Sequence, residues 1–406
     1  MRQKVQVILI NGKNPLTKMG GYQTYTYNLA KILTSLGYRV KIFCFGAQNK
    51  TIQSDIGTIQ TVYFRLFYLP LIRSVELTGL IFLAPILAWS IHQDLKNHPR
   101  KIVWGIGPWS LSAAMLKLIY PKLHYLSFYP TTFQHEFRGT LEALNLKDYG
   151  LVPKLEAYLA FYTIIPLYTL LERFFLKLAD KIVIHYSSAQ KILQEQFDIK
   201  DNQFIKIPDY SEPVKKPFKT QPKIPQLVKP FILLITRQDS RKGINFLLHA
   251  FAILNQRGIK YSAAIIGGGR MLQANRSLAQ KLQLKNVYLP GFTTDPSYFL
   301  KKADVYVFSS VEEGSSAISI LEAMQYGLPI VSTNVDGLVE DLEDKKSALL
   351  VPPKNPQALA DAMQKLIQNP KLAKRLGKAA KKAFQAKHHL TKVKKELSSL
   401  IATYYT

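Results

Sequence analysis

Apolar positions recur along this chain in two alternating rhythms. VQVILI (5–10), YTYNLAKILTSLG (25–37) and YRVKIFCFG (38–46) read in turn as strand, helix and strand, the first strand turning at Asn11 and Gly12. Such a βαβ unit, repeated, builds a parallel sheet covered by helices on both faces. KIVWGIG, KLHYLSFY, KIVIHYS and FIKIP extend the series to about Tyr210. The rhythm then stops. Residues 211–230, SEPVKKPFKTQPKIPQLVKP, hold five prolines and five lysines with no apolar period, which predicts an extended linker. Directly after it FILLIT starts a second series: helix INFLLHAFAILNQRG, strand YSAAIIG, strand NVYLPG, helix SYFLKKA, strand DVYVFSS, helix SILEAMQYG and strand PIVST.

The pattern therefore predicts an α/β chain with two doubly wound, Rossmann-like domains, residues 1–210 and 231–385. A tail, 386–406, is expected to pack back toward the first. With 406 residues the chain is long enough for two full cores. Ligands of open α/β sheets bind outside the carboxyl ends of the strands, so a cleft between the two sheets is the expected site.

Two apolar stretches break the alternation. Residues 77–91, LTGLIFLAPILAWSI, and 157–171, AYLAFYTIIPLYTLL, are each 15 uncharged residues with one internal proline, Pro85 and Pro166. A spanning helix needs about 20 apolar residues, so they read as core helices or as helices lying in a membrane interface. Charge sharpens the second reading. Fifty-four Lys and Arg against 27 acids give a net charge of +27, which calls for anionic partners such as lipid headgroups or phosphorylated substrates. No zinc-finger spacing or RNA-recognition signature is present, so nucleic acid is not expected. Cys44 is the only cysteine, which rules out an internal disulfide and a cysteine-based metal cluster and fits a reducing, cytoplasmic compartment. The N-terminus reads as a strand and not as a cleaved signal.

Candidate chemistry clusters in two loops of the second domain. TRQDSRKGINFLL places Arg237, Arg241 and Lys242 between a strand and a helix, where cations and helix-start amides can neutralise a pyrophosphate. VFSSVEEGSSAISILEAMQYGLPIVST ends a strand in an acidic turn, Glu312, Glu313 and Gly314, followed by Ser315 and Ser316 at a helix start. There the glycine admits close backbone approach, and hydroxyls can bind phosphate or sugar oxygens. Glu322, further along, can accept hydrogen bonds from two vicinal hydroxyls such as those of a ribose.

Residues 231–370 closely resemble glycosyltransferase family 4, a retaining family with the GT-B fold. The resemblance rests on EEGSSAISILEAMQYGLPIV, on Arg237 and the Lys242-Gly243 pair, on the Gly267-Gly268-Gly269 turn, on Pro290-Gly291-Phe292, and on DGLVEDLEDKKSALLVPPKNPQALADAM. In the first domain MGGYQTYTYNLAKILTSLGYRVKIF resembles the family's glycine loop, with Gly20 and Gly21 approaching the donor phosphates. The first domain is then the acceptor side. The resemblance implies a metal-independent hexosyltransferase using a nucleotide-diphosphate-sugar donor as co-substrate, without a cofactor, on a glycan, lipid-linked or small-molecule acceptor in polysaccharide or glycolipid biosynthesis. It implies catalytic roles for Arg237, Lys242, Glu313 and Glu322, and donor contacts for Gly20, Gly21, Gly268, Gly291, Gly314, Ser315 and Ser316. Peripheral contact with the cytoplasmic face of an anionic membrane is a further expectation.

Two departures stand out. Counting back from Glu322 puts Gly314 where the family has its first glutamate, one step after Glu313. The family's sugar-contacting histidine falls near Tyr129 in HYLSFYPTTFQHEF, with His135 following as the candidate contact. The shifted glutamate motivates an alternative, a non-catalytic sugar-nucleotide- or membrane-binding accessory protein with a degenerate donor site.

Overall fold

A computed structural model describes the chain except residues 1–4, 18–19, 65–75, 97–100, 211–227, 294–295, 315–316 and 405–406. Most of the linker expected at 211–230, together with Ser315 and Ser316, lies outside the described residues. In chain order the elements are β1 (Gln6–Ile10), α1 (Gly21–Ser35), β2 (Arg39–Phe45), β3 (Lys50–Ser54), β4 (Gly57–Val62), α2 (Glu76–Leu95), β5 (Lys101–Ile106), α3 (Ser110–Ile119), β6 (His124–Phe128), α4 (Phe133–Ala143), α5 (Leu146–Tyr149), α6 (Leu151–Lys177), β7 (Lys181–Ile184), α7 (Ser187–Phe197) and β8 (Phe204–Lys206). They continue with β9 (Phe231–Ile235), α8 (Ile244–Gln256), β10 (Ser262–Ile266), α9 (Leu272–Lys281), β11 (Val287–Gly291), α10 (Pro296–Lys302), β12 (Val305–Phe308), α11 (Ile318–Tyr326), β13 (Ile330–Thr333), α12 (Leu338–Asp341), β14 (Leu349–Val351), α13 (Pro356–Gln368), α14 (Pro370–Lys387) and α15 (Leu390–Ala402).

The chain forms two compact units. The first comprises residues 1–132, 163–209 and 390–406. Its sheet runs β3-β4-β2-β1-β5-β6-β7-β8, parallel except where the polar strand β3 pairs antiparallel with β4 at the edge. The expectation of a wholly parallel sheet missed that edge pair. β1, β5 and β7 read as near-continuous apolar runs because helices cover both faces; Val7, Ile8, Leu9 and Trp104 are fully buried. α2 belongs to this core through Leu83, Leu87 and Ile91, although Phe82 and Trp89 stay exposed on its other side. The 390–406 segment returns to this unit, where α15 buries Val393, Leu397 and Leu400.

The second unit comprises residues 133–162 and 210–389. Helices α4 and α5 and the start of α6 are thus grouped with it, although the sequence rhythm places them before the linker. Its sheet order is β11-β10-β9-β12-β13-β14, every pairing parallel. Counting strands within the sheet, that is the 3-2-1-4-5-6 order of a doubly wound fold, and it reverses direction between β9 and β12. A single apolar core unites both sides, from Phe231–Leu234 through Leu247, Phe251 and Tyr306 to Met363 and Leu376.

α6 exceeds the apolar stretch that the sequence marked within it. At 27 residues it is, among the described residues, the one helix long and apolar enough by length and composition to cross a membrane, with 28% of its most apolar window buried. Leu155, Leu159, Tyr162 and Leu170 are exposed along it.

Candidate active site

The reversal point of the second sheet brings two loops together. β9 ends at Ile235 and delivers residues 236–243; β12 ends at Phe308 and delivers residues 309–314. Gly243 closes the first loop with φ 62°, and a Cβ there would lie 2.1 Å from the Ser309 carbonyl oxygen, so only glycine lets the loops approach this closely. Hydrogen bonds then join them. Val311 N donates to Arg241 O at 2.8 Å, Ser309 Oγ to Lys242 O at 3.0 Å and Ser310 Oγ to Arg241 O at 3.2 Å.

Charged side chains fill this junction. Lys242 Nζ lies 2.5 Å from Glu313 Oε1, which also accepts from Ser310 Oγ at 2.6 Å. Arg241 bridges two carboxylates, Glu136 of α4 at 3.0 Å and Glu312 at 3.4 Å. Helix α4 reaches this close because Gly139 faces Glu312; a Cβ at residue 139 would stand 2.5 Å from Glu312 Cβ. Asp336, with φ 43°, accepts from the Glu313 and Gly314 amides at 2.8 Å each. His135 Nε2 stands 3.3 Å from Glu312 Oε1 and 3.4 Å from Asp336 Oδ1.

The electrostatics follow from burial and pairing. Burial pushes the Glu312 carboxyl up, to about 7, against the pull of Arg241. Burial lowers Lys242, and Arg241 adds to that, while Glu313 opposes it. Burial also disfavours the charged Arg241, but Glu136, Glu312 and Glu313 outweigh it and hold its pKa above the usual value. The Asp336 contact and the nearby carboxylates raise His135 despite its partial burial, and Asp336 is correspondingly lowered despite its own.

The expected residues do not all converge on this junction. Lys242, Glu313 and Gly314 meet at the junction, Gly314 with φ 68°. Arg237 lies on the same loop but its side chain is 55% exposed, paired with Asp239 at 2.5 Å. Lys242 has its counter-ion in the acidic turn, Glu313. Glu322 is half-buried on α11, near enough to Tyr306 to add to the burial that raises the phenol. Gly268 belongs to a turn in which Gly267 and Gly269 take φ 136° and 156°, and Gly291 ends β11 with φ 92°. Gly20 and Gly21 stand in the first unit, Gly20 extended before α1 and Gly21 opening it. Tyr129, near the place of the family's histidine, is buried in that unit, its hydroxyl 2.6 Å from Glu172.

Three residues carry more weight here than their local sequence context suggests. Arg241, a third candidate by position, is the buried hub. Glu136 and Asp336 went unnoticed because their partners stand 105 and 22 to 23 residues away. No single-window pattern joins such positions.

With this geometry in hand, the fold is GT-B, two Rossmann-like α/β units. Sucrose-phosphate synthase from Thermosynechococcus elongatus matches with a TM-score of 0.79 at 20% identity over 99% of both chains. Anabaena Alr3699/HepE in complex with UDP-glucose matches with a TM-score of 0.69 at 14% identity, over 98% of this chain and 99% of that one. Residues 216–383 match the model of the family described as Glycosyl transferases group 1. In sequence, the capsular polysaccharide biosynthesis glycosyltransferase CapM of Staphylococcus aureus is 27% identical over 168 residues, 40% of this chain and 43% of CapM. The matched part is about half the length, or less, of the curated relatives, 53%, 41% and 43% for three of them.

Proposed function

We propose that this protein is a retaining glycosyltransferase of family 4, a hexosyltransferase that moves a sugar from a nucleotide diphosphate to a glycan or lipid-linked acceptor. The observation that carries the reading is the junction at the reversal point of the second sheet, where two hydrogen-bonded loops set Arg241 and Lys242 against the acidic turn of Glu312, Glu313 and Gly314, with Arg237 exposed on the same loop. The group 1 match over residues 216–383 covers the same loops. CapM, a capsular polysaccharide biosynthesis glycosyltransferase, supports the polysaccharide setting, and the UDP-glucose complex of HepE supports the donor class.

In this reading the bond between the anomeric carbon and the diphosphate oxygen breaks, and negative charge grows on the departing diphosphate. Arg237 and Lys242 stabilise that charge without a metal; the loops that hold them carry no Asp-x-Asp pair. An ammonium has three N–H donors, so pairing with Glu313 leaves Lys242 capacity for phosphate oxygens. Glu322 orients the ribose, and Glu313 with Gly314, Ser315 and Ser316 receives sugar hydroxyls. Gly20, Gly21, Gly268 and Gly291 allow close approach to the donor, and His135 contacts the sugar. The site is cytoplasmic, on a chain bound peripherally to an anionic membrane through the exposed apolar side of α6 and the basic surface.

A panel of nucleotide-diphosphate sugars tests this by measuring free nucleotide diphosphate and labelled product with polysaccharide and lipid-linked acceptors. Transfer that persists in excess chelator supports the reading. Donor binding without turnover on any acceptor would point instead to the accessory protein.

A further inference from the structure

Around the Arg241 hub the charges do not balance. Glu136, Glu312, Glu313 and Asp336 contribute four carboxylates, and Arg241 and Lys242 contribute two cations. With all four ionised and His135 neutral, two negative charges are left over in a largely buried cluster. A protonated His135 would offset one of them; a divalent cation beside a neutral imidazole would offset both. Burying uncompensated charge is costly, so the cluster must take up either protons or a cation.

The donor atoms already converge. Oε1 of Glu312 is buried without a hydrogen-bond partner, on a side chain only 6% exposed, and it points at His135 Nε2 across 3.3 Å. Both oxygens of Asp336 stand 3.4 Å from the same nitrogen, Oδ2 in a hydrogen bond with it, and the three ligand atoms all lie within 4.8 Å of one another. Zinc bonds of about 2.0–2.2 Å to nitrogen and oxygen, opened at the tetrahedral angle, set neighbouring ligand atoms about 3.3–3.5 Å apart. Both observed separations from His135 fall in that range, and the two carboxylate oxygens lie within 4.8 Å of each other. Magnesium, with bonds of about 2.0–2.1 Å at right angles, would need ligand atoms near 2.9 Å. An imidazole nitrogen also favours zinc, iron, nickel or copper over calcium.

The ligands are held from behind. The Glu313 and Gly314 amides fix the other oxygen of Asp336, and Arg241 takes the other oxygen of Glu312 at 3.4 Å. Such outer contacts orient metal-binding carboxylates. His135 rides on α4, whose approach depends on Gly139.

We propose that His135 Nε2, Glu312 Oε1 and Asp336 Oδ1 form a binding site for one zinc-class divalent cation, with a fourth position open to water or a substrate oxygen. The site stands beside Arg241 and Lys242 and shares only His135 with the sugar contacts of the transfer reading.

The test uses the full-length protein stripped with chelator, dialysed, and titrated with zinc chloride by calorimetry and with cobalt(II) by absorption spectroscopy. One equivalent of zinc is expected, with the intense visible bands of a low-coordinate cobalt site. His135→Ala, at a side chain 26% exposed, should fold, as circular dichroism would verify, and bind zinc roughly 100-fold more weakly, the upper end of what loss of an outer partner alone costs. Glu312→Gln, which keeps the shape, should weaken binding as well, and His389→Ala should not. Failure of the wild type to bind either metal, or equal binding by His135→Ala, would overturn the proposal. Neither readout involves turnover. Loss of transfer in chelator would therefore sink the metal-independent reading while leaving the site in place.

Discussion

Adjacent cations on one short loop have opposite structural costs. Arg237 is more than half exposed and paired only with Asp239, so its removal should leave stability within about 0.5 kcal/mol. Yet Arg237→Ala should lower turnover strongly, by about 2.7–4 kcal/mol of transition-state stabilisation if it faces the departing diphosphate. Arg241→Ala strips Glu136 and Glu312 of their buried partner, and breaking such a pair costs about 3–5 kcal/mol. Denaturant unfolding of both variants beside single-turnover rates separates the roles. Equal stability losses would show that the loop is not divided between a binding residue and a scaffold residue. The sequence marked Arg237 and Lys242 because a strand–loop–helix junction with cations has a local signature. It could not rank Arg241 above them, since that rank comes from Glu136, 105 positions earlier in the chain.

At the scale of elements, the alternation of apolar runs was legible because parallel strands covered on both faces must be apolar throughout. β3 escaped because KTIQS is an exposed, polar edge strand whose partner is supplied by a turn. The grouping of α4 with the second sheet also escaped, because nothing in FQHEFRGTLEA distinguishes packing on one domain from packing on the other. What carries that packing is Gly139. Within a helix, replacing glycine by alanine ordinarily gains about 1 kcal/mol. Here the added methyl would stand 2.5 Å from Glu312 Cβ, close to the backbone and unable to swing aside. Overpacking of this kind costs about 1–3 kcal/mol, so Gly139→Ala should be destabilising overall and Gly139→Leu more so. A rise in the denaturant midpoint of Gly139→Ala would mean that α4 does not press on the acidic turn.

For the whole molecule, charge and exposed apolar surface have to be weighed together. A net charge of +27 makes the chain repel itself unless anions gather on it, and α6 presents Leu155, Leu159, Tyr162 and Leu170 to solvent on the same molecule. Neither feature alone selects a membrane, because basic proteins bind many anions and single exposed leucines are ordinary. Their conjunction fits a helix whose apolar side enters the interface while basic residues, each worth about 1 kcal/mol near an anionic surface, hold it there. Flotation with phosphatidylglycerol-containing vesicles should then recover the protein at low salt and lose most of it at high salt, with little recovery on neutral vesicles. Replacing Leu155 and Leu159 by glutamate should abolish binding without unfolding the protein, since neither side chain is part of a core. Binding that survives both high salt and alkaline carbonate, and yields only to detergent, would show instead that α6 spans the bilayer, as its 27 residues permit.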